Sequence, residues 1–188
     1  MATLDTSATY TLSNMFTGPG KLLAVPSDPG SGTKPELLSA TTNTPPNHAQ
    51  WFLTSTDLDP FYRLHTVSGG ESLSLDVINS GGESASSDLH MAATGRYSGQ
   101  YWRFDEWQAS DGTSFIYRIS NNFTGLEKHL DVYSDTLVPF LTGGDFTGQH
   151  WRVEVVDSKT GTGTGTGTGS AATEEEITDH DGRDRLRG

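Results

Sequence analysis

The sequence predicts an all-β fold made of three repeats of about fifty residues, and two observations lead to that prediction. The hexapeptide GQYWRF at 99–104 returns as GQHWRV at 148–153, and AQWF stands at 49–52. Between these motifs the apolar runs are short, several alternate with period two, and Gly, Ser, Thr, Asn or Pro interrupts them. A regular period of this length is typical of a repeat architecture, which decides the fold before any single residue is interpreted.

The three repeats agree in more than their Trp. Tyr10, Tyr62 and Tyr117 each open a strand-like run, and a Val follows fifteen residues after each Tyr. The segments 10–25 and 117–132 align without a gap and share nine of their sixteen residues. Each repeat is therefore predicted to hold four short strands, about twelve in all. The predicted repeats span residues 7–56, 57–107 and 108–157.

The composition changes near residue 157. Residues 158–188 alternate Gly and Thr and then become acidic, with few apolar side chains. Such a segment has nothing to bury, so we expect a disordered C-terminal tail. Residues 1–157 are long enough to form one domain with its own core.

Charge and composition exclude several classes of function. The formal net charge is −12 at pH 7, and residues 1–157 alone carry 18 acidic and 8 basic side chains. Nucleic acid would be repelled by such a surface, so we expect no nucleic-acid partner. No stretch is long and apolar enough for a transmembrane helix, so we expect no membrane insertion. The sequence has no Cys, which excludes disulfides, thiolate zinc sites and a Cys nucleophile.

The lack of a signal peptide and the lack of Cys together predict the compartment. The first twelve residues, MATLDTSATYTL, have neither the basic start nor the apolar run of a signal peptide. Together with the lack of Cys, this favours the cytoplasm, with secretion as the alternative. The oligomeric state stays open.

Three repeats that each end in or near Gln-x-Trp resemble the ricin B-chain-type lectin domain, also called carbohydrate-binding module family 13. Gln100 stands two residues before Trp102, as the motif requires, and Gln149 stands likewise before Trp151. The first repeat departs from the motif, because Ala49 holds the Gln position. Leu-Asp-Val segments recur in the second and third repeats, and the resemblance covers essentially all of residues 7–157.

The resemblance implies a β-trefoil, in which about twelve strands are arranged with pseudo-threefold symmetry. One four-stranded unit cannot bury its apolar face alone, whereas three units can close a barrel and share a core. Trp51, Trp102 and Trp151 are then core residues that pack between the units, and each indole N–H is expected to find a backbone acceptor. The Gln side chains are expected to bind neighbouring loop backbone.

The resemblance also implies one shallow sugar site in each repeat. The Asp of Leu-Asp-Val accepts hydrogen bonds from two adjacent hydroxyls of a pyranose, and a ring twelve residues before the Trp lies against the apolar face of the sugar. In the second repeat these positions hold Asp76 and His90. Strand alternation predicts that Leu89 and Met91 face inward. The candidate residues of this repeat are Asp76, Asp88, His90, Tyr97 and Gln100.

The third repeat keeps the carboxylate but departs at the ring. Asp131 lies between a Leu and a Val, whereas Pro139 stands twelve residues before Trp151. Val138 and Phe140 are expected to face inward, so the expected ring is missing and another must replace it. The candidate residues are Asp131, Tyr133, Phe146 and Gln149.

The first repeat is not expected to bind sugar. Ala24 stands where the Asp belongs, and Ser39 stands where the ring belongs. No outward carboxylate is left there to orient a sugar.

The predicted function is a non-catalytic lectin that binds galactose-type or related glycans and needs no cofactor or metal. His65, His90 and His129 show no nucleophile–base spacing, and no phosphate loop or metal-ligand motif is present. Two alternatives stay open. The domain could be a protein-interaction trefoil such as a protease inhibitor, acting through the Pro/Gly-rich loop 26–46, or a scaffold whose sugar sites are relics.

Overall fold

The computed structural model describes residues 4–40, 46–83, 86–109 and 115–156, with the backbone alone at 108–109. The predicted tail at 158–188 lies outside these residues. The described residues hold twelve β-strands: β1 Thr9–Asn14, β2 Lys21–Ala24, β3 Glu36–Ser39, β4 Trp51–Ser55, β5 Tyr62–Thr66, β6 Leu73–Val77, β7 Leu89–Ala93, β8 Trp102–Ala109, β9 Phe115–Asn121, β10 Gly125–Val132, β11 Pro139–Thr142 and β12 Trp151–Val155. They also hold short 3₁₀ helices at Asn47–Ala49, Gly70–Ser72, Ser98–Gln100 and Thr147–Gln149.

Six of the strands close into a barrel. The antiparallel pairing runs from β1 through β4, β5, β8, β9 and β12 back to β1, so each repeat contributes its first and its fourth strand. The second and third strands of each repeat form a hairpin, namely β2–β3, β6–β7 and β10–β11. A closed ring leaves no open edge in the barrel. This arrangement confirms the predicted all-β fold and its β-trefoil architecture.

Three Trp side chains join barrel and hairpins in the same way in all three repeats. Trp51, Trp102 and Trp151 begin β4, β8 and β12, and each is 0% exposed. Each indole Nε1–H donates a hydrogen bond of 2.8 Å to the second strand of its own repeat. The acceptors are the carbonyl oxygens of Leu23, Leu75 and Leu130, respectively. The predicted core role of the Trp is confirmed, and the backbone partner lies within the repeat.

The rest of the core follows the same threefold pattern. Leu12, Leu64 and Ile119 occupy the same place in the first strand of each repeat, and all three are buried. These side chains and the Trp belong to one apolar cluster to which all three repeats contribute. Because the cluster is shared, no repeat has a core of its own.

Loss of the indole donor should destabilise the barrel. In Trp151→Phe the carbonyl of Leu130 is left buried without its donor and a cavity opens, so we expect the free energy of unfolding to fall by about 2–4 kcal/mol. Urea unfolding measures the change. Trp107→Phe is the matched control, because Trp107 is 38% exposed. The control should cost less than about 1 kcal/mol, and equal losses in the two variants would contradict the assignment.

His65 is a titratable group inside the second repeat, where it is 1% exposed. Its Nδ1 lies 2.7 Å from the carbonyl oxygen of Leu73, and its Nε2 lies 2.9 Å from the hydroxyl of Thr54. A carbonyl can only accept, so Nδ1 carries the proton and Nε2 accepts from Thr54. Burial lowers the pKa of His65 below its ordinary value of 6.5, because it disfavours the charged ring.

The neutral His65 should make stability depend on pH. The unfolded chain takes up a proton on this residue below pH 6.5, whereas the folded chain does so only at lower pH, so stability is full above 6.5 and falls as the pH drops toward the folded pKa. We expect His65→Asn to show a smaller loss of unfolding free energy than the parent over that interval. Urea unfolding at a series of pH values tests this. Identical slopes for parent and variant would refute it.

Candidate functional site

The Leu-Asp-Val segment of β6 presents a carboxylate away from the core. Leu75 and Val77 are buried, and Asp76 between them is half-buried, because successive side chains in a strand face opposite sides. Its Oδ1 accepts the Val77 N–H at 2.7 Å. Its Oδ2 accepts the Nε2–H of Gln100 at 3.0 Å.

The buried side chain of Gln100 fixes the orientation of this carboxylate. The side chain is 0% exposed, and its Nε2 also donates to the carbonyl of Ala93 at 2.9 Å. Its Oε1 accepts the Gly95 N–H at 2.9 Å. The amide therefore binds the neighbouring loop backbone, as expected, and reaches a ligand only through Asp76.

A shallow pocket of about 380 Å³ opens at Asp76. Tyr97 stands at its rim, immediately before the 3₁₀ helix Ser98–Gln100, and is 62% exposed. The pocket thus combines a carboxylate with an accessible ring. Its other lining residues include Asn79, Arg96, Gly99 and Phe123.

The structure separates the candidate residues of the second repeat into two groups. Asp76, Tyr97 and Gln100 come together, whereas His90, half-buried opposite Asp76 in the β6–β7 register, is not among the residues that line the pocket. Asp88 is exposed, as alternation predicts, but it lies apart from the pocket, 3.9 Å from the ammonium of Lys34. The predicted inward positions of the two apolar residues beside His90 are confirmed.

The third repeat holds a comparable carboxylate that is more buried. Asp131 is 5% exposed, and its Oδ1 accepts the Val132 N–H at 2.7 Å. Gln149 is fully buried, and its Nε2 donates to the carbonyls of Thr142 and Gly143 at 3.4 and 3.3 Å. A pocket of about 390 Å³ opens here. Its lining includes Phe16, Asp131, Tyr133, Phe140, Phe146 and Gly148.

The prediction that Phe140 faces inward, and that this repeat lacks its ring, is wrong. Phe140 lies opposite Asp131 in the β10–β11 register and is half-buried at the pocket. It stacks on Tyr133 with ring centroids 3.8 Å apart and an interplanar angle of 6°. The third repeat therefore has an aromatic ring at the place where the second repeat has His90.

One missing residue explains the error. Phe140 stands eleven residues before its Trp, whereas His90 stands twelve residues before its own, so a count from the Trp lands on Pro139. Pro139 is buried, and Val138, also expected to face inward, is 41% exposed. A Pro is tolerated at the first residue of a strand, and β11 begins at Pro139. If the strand is started at Pro139 with that residue facing inward, alternation places Phe140 on the outward side.

The first repeat replaces the carboxylate and the Gln with two alanines. Ala24 and Ala49 are both 0% exposed and form a small apolar cluster with Leu22. Glu36 lies opposite Ala24 in the hairpin, whereas Ser39, expected at that place, pairs with Lys21. The count from the Trp fails here as well, because the loop before β4 is longer.

A glycine accompanies each carboxylate, and sequence reasoning missed it. A Cβ on Gly99 would lie 2.2 Å from Oδ1 of Asp76, and a Cβ on Gly148 would lie 2.0 Å from Oδ1 of Asp131. Real side chains never approach so closely, so the carboxylate requires glycine at this place. In the first repeat, where Ala24 replaces the Asp, the equivalent residue is His48. The joint change of Asp and Gly was visible in the sequence.

The packing of Gly148 against Asp131 predicts a coupling between these two positions. Gly148→Ala should lower the free energy of unfolding by about 1–3 kcal/mol, because the new methyl group collides with the carboxylate. The cost should shrink in an Asp131→Ala background, where the space is free. Urea unfolding of the four proteins gives a double-mutant cycle.

Gly20→Ala is the control for this cycle, because a Cβ there would meet nothing within 4 Å. It should change the unfolding free energy by less than about 1 kcal/mol. Additive effects of Gly148→Ala and Asp131→Ala would contradict the coupling.

The described residues offer neither a metal-binding cluster nor a membrane-spanning helix. In residues 4–40, 46–83, 86–109 and 115–156, no group of three or more His, Asp or Glu is placed to hold a metal ion. Over the same part of the chain, no helix is long and apolar enough to cross a membrane.

The fold recurs in solved structures. The chain superposes on a mosquitocidal holotoxin with a TM-score of 0.59 and 16% identity, covering 80% of this chain and 17% of the holotoxin chain. The Rhizoctonia solani agglutinin gives a TM-score of 0.57 and 16% identity, covering 84% of this chain and 99% of the agglutinin. SeviL, solved bound to asialo-GM1 saccharide, gives 0.55 and 13%, covering 80% of this chain and 98% of SeviL.

Sequence comparison adds no family to this result. No protein-family model matches the chain, and no curated protein matches it. At identities of 13 to 16% the structural likeness shows a shared fold and does not identify a ligand.

Proposed function

We propose that this protein is a ricin B-like lectin that binds galactose-type or related glycans without chemical change, through sites at Asp76 and Asp131. One observation carries the proposal. Asp76 stands at an open pocket with its carboxylate oriented by the buried Gln100 and with the accessible ring of Tyr97 at the rim. A fixed carboxylate beside an exposed ring matches what a pyranose offers, namely neighbouring hydroxyls on one side and an apolar C–H face on another.

The two sites would use the same groups with different accessibility. Asp76 is half-buried and meets Tyr97, while His90 across the hairpin can stack or donate a hydrogen bond. Asp131 is more deeply buried and lines its pocket together with the rings of Tyr133 and Phe146. Gln100 and Gln149 are buried and would serve by holding their loops in place.

Shallow pockets imply weak binding at each site. A dissociation constant on the order of millimolar to tens of micromolar corresponds to about 4–6 kcal/mol. Two sites on one rigid domain would raise the apparent affinity for branched or clustered glycans, because the second binding event becomes intramolecular. We therefore expect glycan chains presented at high density to be the preferred partners.

The structural neighbours support a glycan ligand. SeviL shares the fold over 80% of this chain and was solved bound to asialo-GM1 saccharide. The proposed activity is binding alone, so it requires no cofactor. The cytoplasmic location stays a prediction.

A protease-inhibitor role stays the alternative, acting through the segment 26–46, in which the structure places a loop at 26–35 and strand β3 at Glu36–Ser39. In the described part of this loop, the Gly32 N–H donates to the carbonyl of Met91 at 2.7 Å, and the Met91 N–H donates to the carbonyl of Thr33 at 2.6 Å. The loop is thus held against β7. A protease panel separates this role from the lectin, because inhibition should be indifferent to Asp76 and Asp131.

A glycan array tests the lectin proposal. The full chain should bind a coherent set of galactose-type glycans. Asp76→Asn with Asp131→Asn should remove at least nine-tenths of the signal, because the side chains that accept hydrogen bonds from the sugar hydroxyls lose their charge. Asp88→Asn is the matched control, since Asp88 is an exposed carboxylate that lines neither the Asp76 pocket nor the Asp131 pocket, and it should bind like the parent. Circular dichroism checks each fold. Binding that survives in the folded double variant would reject these sites, and a silent parent would reject the function.

A further inference from the structure

The first turn of each repeat is docked on the repeat before it by the same backbone hydrogen bond. The donor lies in the turn after the first strand, and the acceptor is the carbonyl of the residue just before the Trp of the preceding repeat. The three bonds, each 2.9 Å long, are Met15 N–H to His150, Val67 N–H to Gln50, and Asn122 N–H to Tyr101. The turn of the first repeat therefore sits on the third repeat, and the turn of the third repeat sits on the second.

The residue that follows each donor is consequently placed against the neighbouring repeat. Phe16, in the first repeat, lines the pocket of Asp131. Phe123, in the third repeat, lines the pocket of Asp76. The second repeat carries Ser68 at this position, and its turn docks on the first repeat, the one without an Asp.

We propose that the two sugar sites are composite, with Phe16 contacting the sugar held by Asp131 and Phe123 contacting the sugar held by Asp76. This inference rests on the proposed lectin function and assigns two further contact residues to it. A sugar on either carboxylate would meet one ring from its own repeat, Phe146 or Tyr97, and one ring from the next repeat around the barrel. Aromatic rings favour the apolar face of a pyranose.

The turn that carries Phe123 is fixed directly to the site. Asn121 is fully buried, its Nδ2–H donates to the carbonyl of Gly99 at 2.8 Å, and its Oδ1 accepts the Phe123 N–H at 2.9 Å. Gly99 is the residue that packs against the carboxylate of Asp76. One side chain therefore sets the position of the ring relative to the acid, which reduces the ordering cost of binding.

The turn that carries Phe16 also begins with a buried Asn, Asn14, but this side chain makes different bonds, and its Nδ2 has no hydrogen-bond partner among the described residues. The Oδ1 of Asn14 accepts the N–H and the hydroxyl of Thr17, at 2.9 and 3.0 Å. Phe16 is 48% exposed and so is free to contact a ligand at the mouth of the pocket. The proposal explains why the first repeat keeps the SNxFTG turn of the third repeat although it has lost its own carboxylate.

Nuclear magnetic resonance of the ¹⁵N-labelled full chain separates the two sites. The amides of Gly99 and Gly148 report on the pockets of Asp76 and Asp131, and the probes are lactose and the asialo-GM1 saccharide. Phe16→Ser should weaken binding at Gly148 about tenfold and leave Gly99 unchanged, whereas Phe123→Ser should do the reverse. Ser is the residue that the second repeat carries at this position.

Control variants distinguish the loss of a ring contact from the loss of the fold. Met15→Ala and Asn122→Ala should bind like the parent, because neither residue lines the Asp76 pocket or the Asp131 pocket. Phe123→Leu preserves apolar packing against the core and removes the aromatic face, so it replaces Phe123→Ser if the latter unfolds.

Each pattern of results has one meaning. The crossed loss described above supports the composite sites. Binding that is lost on Asp76→Asn and Asp131→Asn but unaffected by both Phe variants would overturn the inference and leave the lectin intact. The reverse crossing would also overturn it. No shift at either glycine in the parent, with either probe, would overturn the lectin function and the inference together.

Discussion

The hydrogen bond from each buried indole to a leucine carbonyl is the constraint on which the rest of the molecule depends. The acceptor carbonyl of Leu75 belongs to the peptide group that leads into Asp76, and that of Leu130 leads into Asp131. The Trp itself stands at the end of the Gly-Gln-x-Trp segment. One bond therefore holds the Leu-Asp-Val segment of a repeat beside its Gly-Gln-x-Trp segment, so that the carboxylate packs against the glycine.

The same frame accepts either a polar or an apolar filling. In the second repeat the space between the two segments holds a charged carboxylate bonded to Gln100. In the first repeat it holds Ala24 and Ala49, which need no partner. The Trp51 bond to the carbonyl of Leu23 is unchanged at 2.8 Å. The fold thus tolerates the loss of a site, because the indole bond and the shared core are independent of the acid.

Much of the fold could be predicted from the sequence, because its signals are periodic. The Trp spacing and the short alternating runs give three four-stranded units, and the resemblance supplies the way in which they close. Asp76, Tyr97 and Gln100 were also within reach, since Asp76 lies at a fixed distance from Tyr62 and the other two stand just before the Trp. Phe140 was not, because a one-residue difference before β12 shifts the count and reverses the apparent direction of the side chain.

The contribution of Phe16 and Phe123 to the pockets lay beyond sequence reasoning for a different reason. A repeat read by itself places its first turn far along the chain from the Trp of any pocket. The contact exists because the barrel closes, which places that turn on the preceding repeat. Contacts between repeats follow from symmetry in space, and the sequence shows only the similarity within each repeat.

The antiparallel pairing of β1 with β12, five residue pairs from Tyr10 with Val155 to Asn14 with Trp151, has a consequence for the order of events during folding. These are contacts between the two ends of the domain, and such contacts form slowly because a long loop must be closed first. The pocket at Asp76 is bounded by the second and third repeats, which are neighbours along the chain. The pocket at Asp131 is completed by Phe16 only when the first strand has met the last. The pocket at Asp131 therefore depends on the meeting of the two ends of the domain, whereas the residues that line the pocket at Asp76 all belong to neighbouring repeats.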